Sequence, residues 1–260
     1  MNITFNNLNY LNFFYIILNK TYYYFFKSVI SLSHGYYQFS AGRVAAIETD
    51  CDFPSCHLAI NEPNGLVAIG ANLSAARLLS AYRQGIFPWF NENDPIMWFS
   101  PNPRMVLIPA ELKISKSLQK TMQKNVFELR FNTAFKQVIT ACSETRRPNQ
   151  DGTWLSQNMI DAYCQLHTLG HAICMESWQN DKLVGGCYGL KIGRIFYGES
   201  MFHTVTDASK VAFVQLVHYL QSQQVGLIDC QMKTPLLTSF GGREISREIF
   251  MQQLTTLINI

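Results

Sequence analysis

In the C-terminal part of the chain, apolar and polar positions alternate in runs that read as strands: Ala172 to Trp178, Leu183 to Ile192 and Ile195 to Met201. Turn residues part them at Asn180-Asp181 and Gly193-Arg194, the punctuation of successive hairpins. Apolar spacing then lengthens, placing Val211, Leu216, Val217 and Leu220 on a helix expected from about Ala208 to Gln223, with Asp207 near its start. A strand from Leu227 to Gln231 and a last helix beginning near Ser246 follow. Upstream, the turn cluster Asn61-Glu-Pro-Asn-Gly65 precedes a strand from Leu66 to Ile69. Ser74 is a good N-cap for a helix carrying Ala75, Leu78, Leu79 and Tyr82 and closed by Gly85. Ser156 caps another that runs through Asp161, Tyr163 and Leu166 and stops at Gly170. In Gly85-Ile-Phe-Pro-Trp-Phe90 and Pro95-Ile-Met-Trp-Phe-Ser-Pro-Asn-Pro-Arg104, the prolines oppose regular structure. Trp89, Trp98 and Phe99 are therefore expected on a stiff, irregular wall. Hairpins followed by helix, strand and helix predict an α+β fold.

Composition divides this pattern. The break at Arg146-Arg-Pro-Asn-Gln-Asp-Gly152 suggests a small N-terminal α/β domain over 51–148 and a second domain over 149–260. Residues 1–50 look foreign to both, crowded with Asn, Tyr and Phe and without Asp or Glu before Glu48. Apolar runs there, such as Phe13 to Leu18, are too short to span a bilayer. The segment also lacks the charged start and longer apolar stretch of a secretory signal. Three readings stay open: residues ahead of a true start near Val44, an aromatic arm that touches a membrane, or a poorly ordered extension. A net charge of +3 on 260 residues does not announce a nucleic-acid binder, so any such site must be a local basic patch. The seven cysteines are scattered, without a C-x-x-C pair. They read as reduced, mostly buried thiols of a cytoplasmic protein.

Candidate chemistry concentrates at strand ends. Side chains alternate across a strand, so Asp229 and Gln231 are expected on one face, where a carboxylate and a carboxamide can orient a reacting group. An acid at a strand end is more often a turn or a cap. Glu199, in Gly198-Glu-Ser-Met-Phe202, ends a second expected strand and could converge with them on one cleft. Lys113, Lys116, Lys120 and Lys124 recur at helical spacing, as either a solvated face or a stripe that tracks phosphates. His167 and His171 have the spacing of a metal pair, but Gly170 breaks the helix between them and no H-E-x-x-H is present. No metal is expected.

Several motifs, taken in order, resemble one family: Glu62-Pro-Asn-Gly65, Ala81-Tyr-Arg-Gln-Gly-Ile-Phe-Pro-Trp-Phe90, Ser100-Pro-Asn-Pro-Arg104, Gly152-Thr-Trp154, Leu183-Val-Gly-Gly186, Gly198-Glu-Ser-Met-Phe202, Ala208-Ser-Lys210 and Leu227-Ile-Asp-Cys-Gln231. Each is modest alone; in register they resemble the bacterial leucyl/phenylalanyl-tRNA–protein transferases from about Phe53 almost to the C-terminus. The resemblance implies a small N-terminal domain joined to a GNAT-like acyltransferase domain. It also implies a cytoplasmic, monomeric enzyme without metal or small cofactor. Its partners would be Leu-tRNA and Phe-tRNA, with acceptor proteins that begin with Lys or Arg and are marked for N-end rule degradation.

By the same resemblance Asp229 and Gln231 hold and activate the attacking amine, and Glu199 is the supporting carboxylate. An α-amine has a pKa of about 8, so alignment and proton removal matter more than activation. A neutral amide is a poor base, so Gln231 is read as orienting the amine with charge supplied by Asp229. Either carboxylate could instead pair with a cationic acceptor side chain. Trp89 and Trp154 would stack on the terminal adenosine, and Lys116 and Lys120 would face tRNA phosphates. Cys187, Met201, Phe213, Leu216, Leu220 and Ile228 would form an apolar pocket for Leu, Phe or Met.

The chain departs from the family in having Gly70-Ala-Asn-Leu-Ser74 for Gly-Gly-Asp-Leu-Ser, Phe99 for Trp, Ile173-Cys-Met-Glu176 for a His-Ser-x-Glu segment, and Leu236 for a common His. Cys187 is smaller than the Met often found in the pocket. Two rivals remain. An acetyl-CoA-dependent N-acyltransferase would want a glycine-rich pyrophosphate loop, yet His203-Thr-Val-Thr-Asp-Ala-Ser209 has no glycine. A tRNA-binding module without catalysis would not need Asp229, Gln231 and Glu199.

Overall fold

The computed structural model describes residues 31–33, 35–91, 94–145 and 155–258. Two sheets carry the fold. The first has six strands in the order β1-β2-β3-β4-β6-β5: β1 (Ser31–Ser33), β2 (Tyr36–Phe39), β3 (Gly42–Ile47), β4 (Leu66–Gly70), β5 (Phe87–Pro88) and β6 (Met97–Phe99). The second has seven, in the order β13-β7-β12-β11-β10-β9-β8. Its members are β7 (Arg104–Leu107), β8 (Glu128–Phe131), β9 (Ala172–Gln179), β10 (Lys182–Ile192), β11 (Ile195–His203), β12 (Leu227–Gln231) and β13 (Arg243–Ile245). The helices among the described residues are α1 (Ala75–Arg83), α2 (Lys116–Gln123), α3 (Phe135–Glu144), α4 (Gln157–Thr168), α5 (Ala208–Ser222), α6 (Pro235–Ser239) and α7 (Arg247–Ile258). The expected α+β class holds, with a sheet-rich C-terminal unit after a smaller N-terminal one.

Several local expectations are met by the physics that motivated them. The hydroxyls of Ser74 and Ser156 accept backbone N–H groups of Arg77 and Met159 and so cap α1 and α4. Asn180 and Asp181 both take positive φ, the conformation that lets a two-residue turn match the twist of β9 and β10. The aromatic wall is less irregular than expected. Its prolines sit at strand ends and in the two-residue edge strand β5, where no ladder N–H is lost, so β5, β6 and β7 form between them.

Other expectations are corrected. Residues 36–47 are not an appendage. β2 and β3 form a hairpin, β3 pairs in parallel with β4, and Phe39 and Val44 are buried in the larger apolar cluster. Strands from both sides of the division suggested at 148/149 share the second sheet, because β7 and β8 belong to it; the sheets change over between Phe99 and Arg104. The four-lysine face is shortened: Ser115 caps α2, so Lys113 precedes the helix and Lys124 is its C-cap, leaving Lys116 and Lys120 on it. Strand β8, helix α3, the short α6 and β13 were not foreseen.

The start of α3 has a tertiary cause. Glu176 on β9 is fully buried and accepts the backbone N–H groups of Thr133 and Ala134 at 2.7 Å each, the Thr133 hydroxyl and the Trp178 indole N–H. Burial alone would raise its pKa, but these donors outweigh it and hold the carboxyl below its ordinary value. An ionised carboxylate therefore stands at the N-terminus of α3, where backbone N–H groups lack helical partners.

Gly189 on β10 pairs with Gly198 on β11, where the register shifts. A Cβ at Gly189 would stand 2.0 Å from the Tyr197 carbonyl oxygen and 2.5 Å from the Phe196 ring. Gly189→Ala should cost at least about 2 kcal/mol, read as a lower urea midpoint. An unchanged midpoint would show that the strands can part there at no cost.

Candidate active site

Two irregularities shape the site. On β11, Tyr188 pairs with Ser200 and Gly189 with Gly198, so Glu199 is the extra residue of a bulge. On β12, Asp229 pairs with Val106 and Gln231 with Met105, so Cys230 is extra. Bulges break the two-residue alternation and re-aim side chains. β11 and β12 run parallel, and their pairing ends at Tyr197↔Asp229. Glu199 and Gln231 thus stand just beyond the point where two parallel strands separate.

Glu199 is half-buried, with its carboxylate turned onto two fully buried phenols. Tyr82 of α1 donates to Oε1 at 2.7 Å and Tyr163 of α4 donates to Oε2 at 3.0 Å. The two phenol oxygens also lie 2.5 Å apart. Ionised Glu199 can use both phenol protons, but the phenol–phenol contact is then left without a hydrogen. One more proton on Glu199 closes a ring of three hydrogen bonds. Burial raises the Glu199 pKa to about 7, against the lowering effect of the two phenols. Both phenols are pushed well above their ordinary range by burial and by Glu199, so they remain donors. Tyr197 supports the assembly, its ring 4.8 Å from that of Tyr82 and its hydroxyl donating to the Tyr82 carbonyl at 2.7 Å.

Asp229 is fully buried and engaged. Arg104 of β7 donates to it through Nε at 2.8 Å and Nη2 at 2.7 Å, a bidentate pair. Asp229 Oδ1 also accepts the backbone N–H of Gln231 at 2.9 Å. Asp229 and Gln231 lie opposite consecutive residues of β7, so the bulge removes the shared face expected of them. Their link runs through Gln231's main chain. Gln231 adopts φ 53°, and its buried Nε2 has no partner among the described residues. Asp229, already held by Arg104, is not available to a cationic acceptor side chain.

The remaining candidates fall in different places. Cys187, Phe213, Leu216, Leu220 and Ile228 belong to one buried apolar cluster between α5 and the second sheet, and half-buried Met201 packs on it. Burial pushes the Cys187 thiol far up, leaving it an apolar lining group. Lys116 and Lys120 are exposed, one turn apart on α2. Trp89 is 9% exposed and meets Phe99 edge-on at 5.5 Å, so it offers a rim more than an open face. Trp154 lies outside the described residues. His167 stacks on Phe135 at 4.3 Å and places Nδ1 2.8 Å from the Ala172 carbonyl, a packing role. No cluster of three or more metal-ligating side chains occurs among the described residues.

Sequence reasoning missed Tyr82, Tyr163 and Arg104 as members of the site. The tyrosines read as core positions of helices. Arg104 stood in plain view at the end of Ser100-Pro-Asn-Pro-Arg104, but nothing local names its partner 125 residues away.

A carboxyl raised to about 7 in a frame of phenols, with a carboxamide beyond the same strand separation, is an arrangement that can move a proton during group transfer on an α+β fold. Residues 71–102 match the leucyl/phenylalanyl-tRNA protein transferase N-terminal domain, and residues 106–255 match leucyl/phenylalanyl-tRNA protein transferase. A leucyl/phenylalanyl-tRNA–protein transferase of Nitrosospira multiformis is 52% identical over 82% of this chain and 91% of its own length. Another, from Syntrophobacter fumaroxidans, is 55% identical over 78% and 86%. Among solved structures, a GCN5-related N-acetyltransferase-like protein from Streptococcus suis aligns at TM-score 0.31 with 9% identity, over 70% of this chain and 61% of that one. The chain belongs to the leucyl/phenylalanyl-tRNA protein transferase family, and it is an aminoacyltransferase.

Because the folded-state pKa of Glu199 lies above its unfolded value of about 4.3, the folded protein binds more protons between roughly pH 4.5 and pH 7. Its contribution to stability therefore falls as pH rises through that window and levels off above it. The melting temperature of Glu199→Gln should rise relative to wild type from pH 4.5 to 7. A difference that does not change with pH would contradict the raised pKa.

Proposed function

We propose that this enzyme moves Leu or Phe, and also Met, from aminoacyl-tRNA to the α-amine of proteins that begin with Lys or Arg, marking them for N-end rule degradation. The observation that carries the reading is that Glu199 and Gln231 both stand just beyond the point where β11 and β12 separate, in a chain of this family. The α-amine attacks the ester carbonyl carbon at the tRNA 3′ end, the C–O bond to the ribose breaks, and the ribose oxygen takes a proton. Gln231 orients the amine through its carboxamide. Glu199, with a pKa of about 7, takes the proton that the amine gives up and returns that same proton to the departing ribose oxygen, while the two phenols hold the carboxyl through their hydrogen bonds.

Substrate recognition follows from the surroundings. The cluster of Cys187, Met201, Phe213, Leu216, Leu220 and Ile228 supplies an apolar lining, which favours Leu, Phe or Met and penalises polar side chains. Trp89 and Trp154 hold the terminal adenosine, and exposed Lys116 and Lys120 meet acceptor-stem phosphates. Pyrophosphate at the start of α5 would meet Asp207, whose carboxylate binds Lys210 and Thr121; this disfavours an acetyl-CoA reaction. Among the described residues no helix is long and apolar enough to cross a membrane. A monomer in the cytoplasm is part of the same reading.

The test is transfer of radiolabelled Leu from charged tRNA to a peptide beginning with Arg. Gln231→Ala should lower kcat by about 100-fold or more. Binding of Leu-tRNA without transfer by the wild type would favour the non-catalytic module. Lys116→Ala with Lys120→Ala should instead raise the KM for Leu-tRNA. The double variant should also flatten the dependence of log affinity on log salt by about 0.9 per lysine, the value for a duplex such as the acceptor stem. An unchanged salt slope would remove these lysines from the tRNA surface.

A further inference from the structure

Arg104 has the least exposed cationic side chain of the ion pairs among the described residues, 1% against the 0% of its partner Asp229. Its guanidinium carbon lies over two rings, 4.8 Å from the Phe87 centroid and 4.6 Å from that of Phe250. These rings come from β5 and α7, elements outside the β7–β12 pair that carries the salt bridge. The rings fix the plane of the guanidinium. The fork of Nε and Nη2 then fixes the plane of the Asp229 carboxylate. That carboxylate spends its remaining contact on one backbone N–H, that of Gln231.

Gln231 needs this support. It is a non-glycine residue at φ 53°, immediately after the extra residue of a bulge and next to a tight 2.6 Å contact between Met232 N–H and the Cys230 carbonyl. Such a conformation persists only where its surroundings impose it. The one side-chain acceptor on its N–H is Asp229 Oδ1. Without a fixed carboxylate, β12 would be free to restore the alternation that the bulge interrupts, and the Gln231 side chain would change direction.

We propose that Arg104 is a positioning residue for the transfer reaction: it locks Asp229, Asp229 holds the Gln231 main chain in the left-handed conformation, and that conformation aims the carboxamide at the amine. Asp229 then acts through geometry, with its charge already neutralised by Arg104. The inference rests on the function proposed above for its catalytic half, while its conformational half stands on the β12 bulge alone. Lysine at position 104 would keep the charge but lose the fork. Asparagine at 229 would keep one oxygen acceptor but lose bidentate pairing.

The experiment uses the full chain at a temperature well below the melting point of each variant. Leu transfer to an Arg-initiated peptide is measured for wild type, Arg104→Lys, Asp229→Asn, Gln231→Ala and Arg104→Lys/Gln231→Ala. Hydrogen exchange of the Gln231 backbone amide is followed in the first three. Arg104→Lys should lower kcat by about 10- to 100-fold with both KM values within about threefold. It should also speed exchange at Gln231 by at least about tenfold while Ile228 is unaffected. On the Gln231→Ala background the same change should cost less than about threefold, because its route to the chemistry is already gone. Equal losses on both backgrounds, a rise in KM alone, or an unaltered Gln231 amide would each overturn the proposal. Absence of transfer by the wild type would sink the functional reading, and exchange at Gln231 would then decide this one.

Discussion

A guanidinium and a carboxylate sealed from water, Arg104 and Asp229, hold together parts of the fold that lie far apart along the chain. The pair ties β7 to β12 across 125 residues of sequence, and the rings against Arg104 add β5 of the first sheet and the C-terminal helix α7. Removing two charges from water costs several kcal/mol each, and their attraction offsets this only where geometry and further hydrogen bonds are good. Here the fork is bidentate, both carboxylate oxygens are occupied and the guanidinium faces aromatic rings. Such a pair adds little to net stability compared with an apolar replacement. What it supplies is direction, since a fork and a carboxylate fit together in one plane only.

That direction serves a sheet whose regularity fails in two places side by side. The bulge at Glu199 and the bulge at Cys230 fall where parallel β11 and β12 cease to pair. Regular strands would send successive side chains to opposite faces. The bulges free Glu199 and Gln231 from that rule, and the parting strands give them space. Gly189 and Gly198, facing each other across the first bulge, let the backbones approach where no Cβ would fit at Gly189.

The environment of Glu199 joins structure to acid–base chemistry. Three side chains, Glu199, Tyr82 and Tyr163, are linked by three oxygen–oxygen contacts at hydrogen-bond distance. Two phenol protons cannot satisfy three contacts, and a third proton can. Burial, against the lowering effect of the two phenols, raises the carboxyl to about 7, close to the range in which an α-amine also exchanges its proton. The helices that bring the phenols, α1 and α4, start at Ser74 and Ser156, so two local caps help to set the pKa of a residue on a distant strand.

The sequence by itself determined whatever short-range physics can fix. Serine caps, the Asn180-Asp181 turn, the hairpins, the apolar spacing of α5 and the family motifs were legible, because each depends on residues a few positions apart. Glu199, Gln231 and Asp229 were legible as polar residues at strand ends. Their roles were not, because alternation assumes an unbroken strand and both strands are bulged. Tertiary structure alone decided that Asp229 faces Arg104, that Glu199 faces two buried tyrosines, and that β7 joins the second sheet. It also drew residues 36–47 into the first sheet, where an unusual composition had suggested an appendage. The physical reason is common to these cases: a buried charge takes its state from whichever groups the fold brings within hydrogen-bond distance, and those groups are far away along the chain.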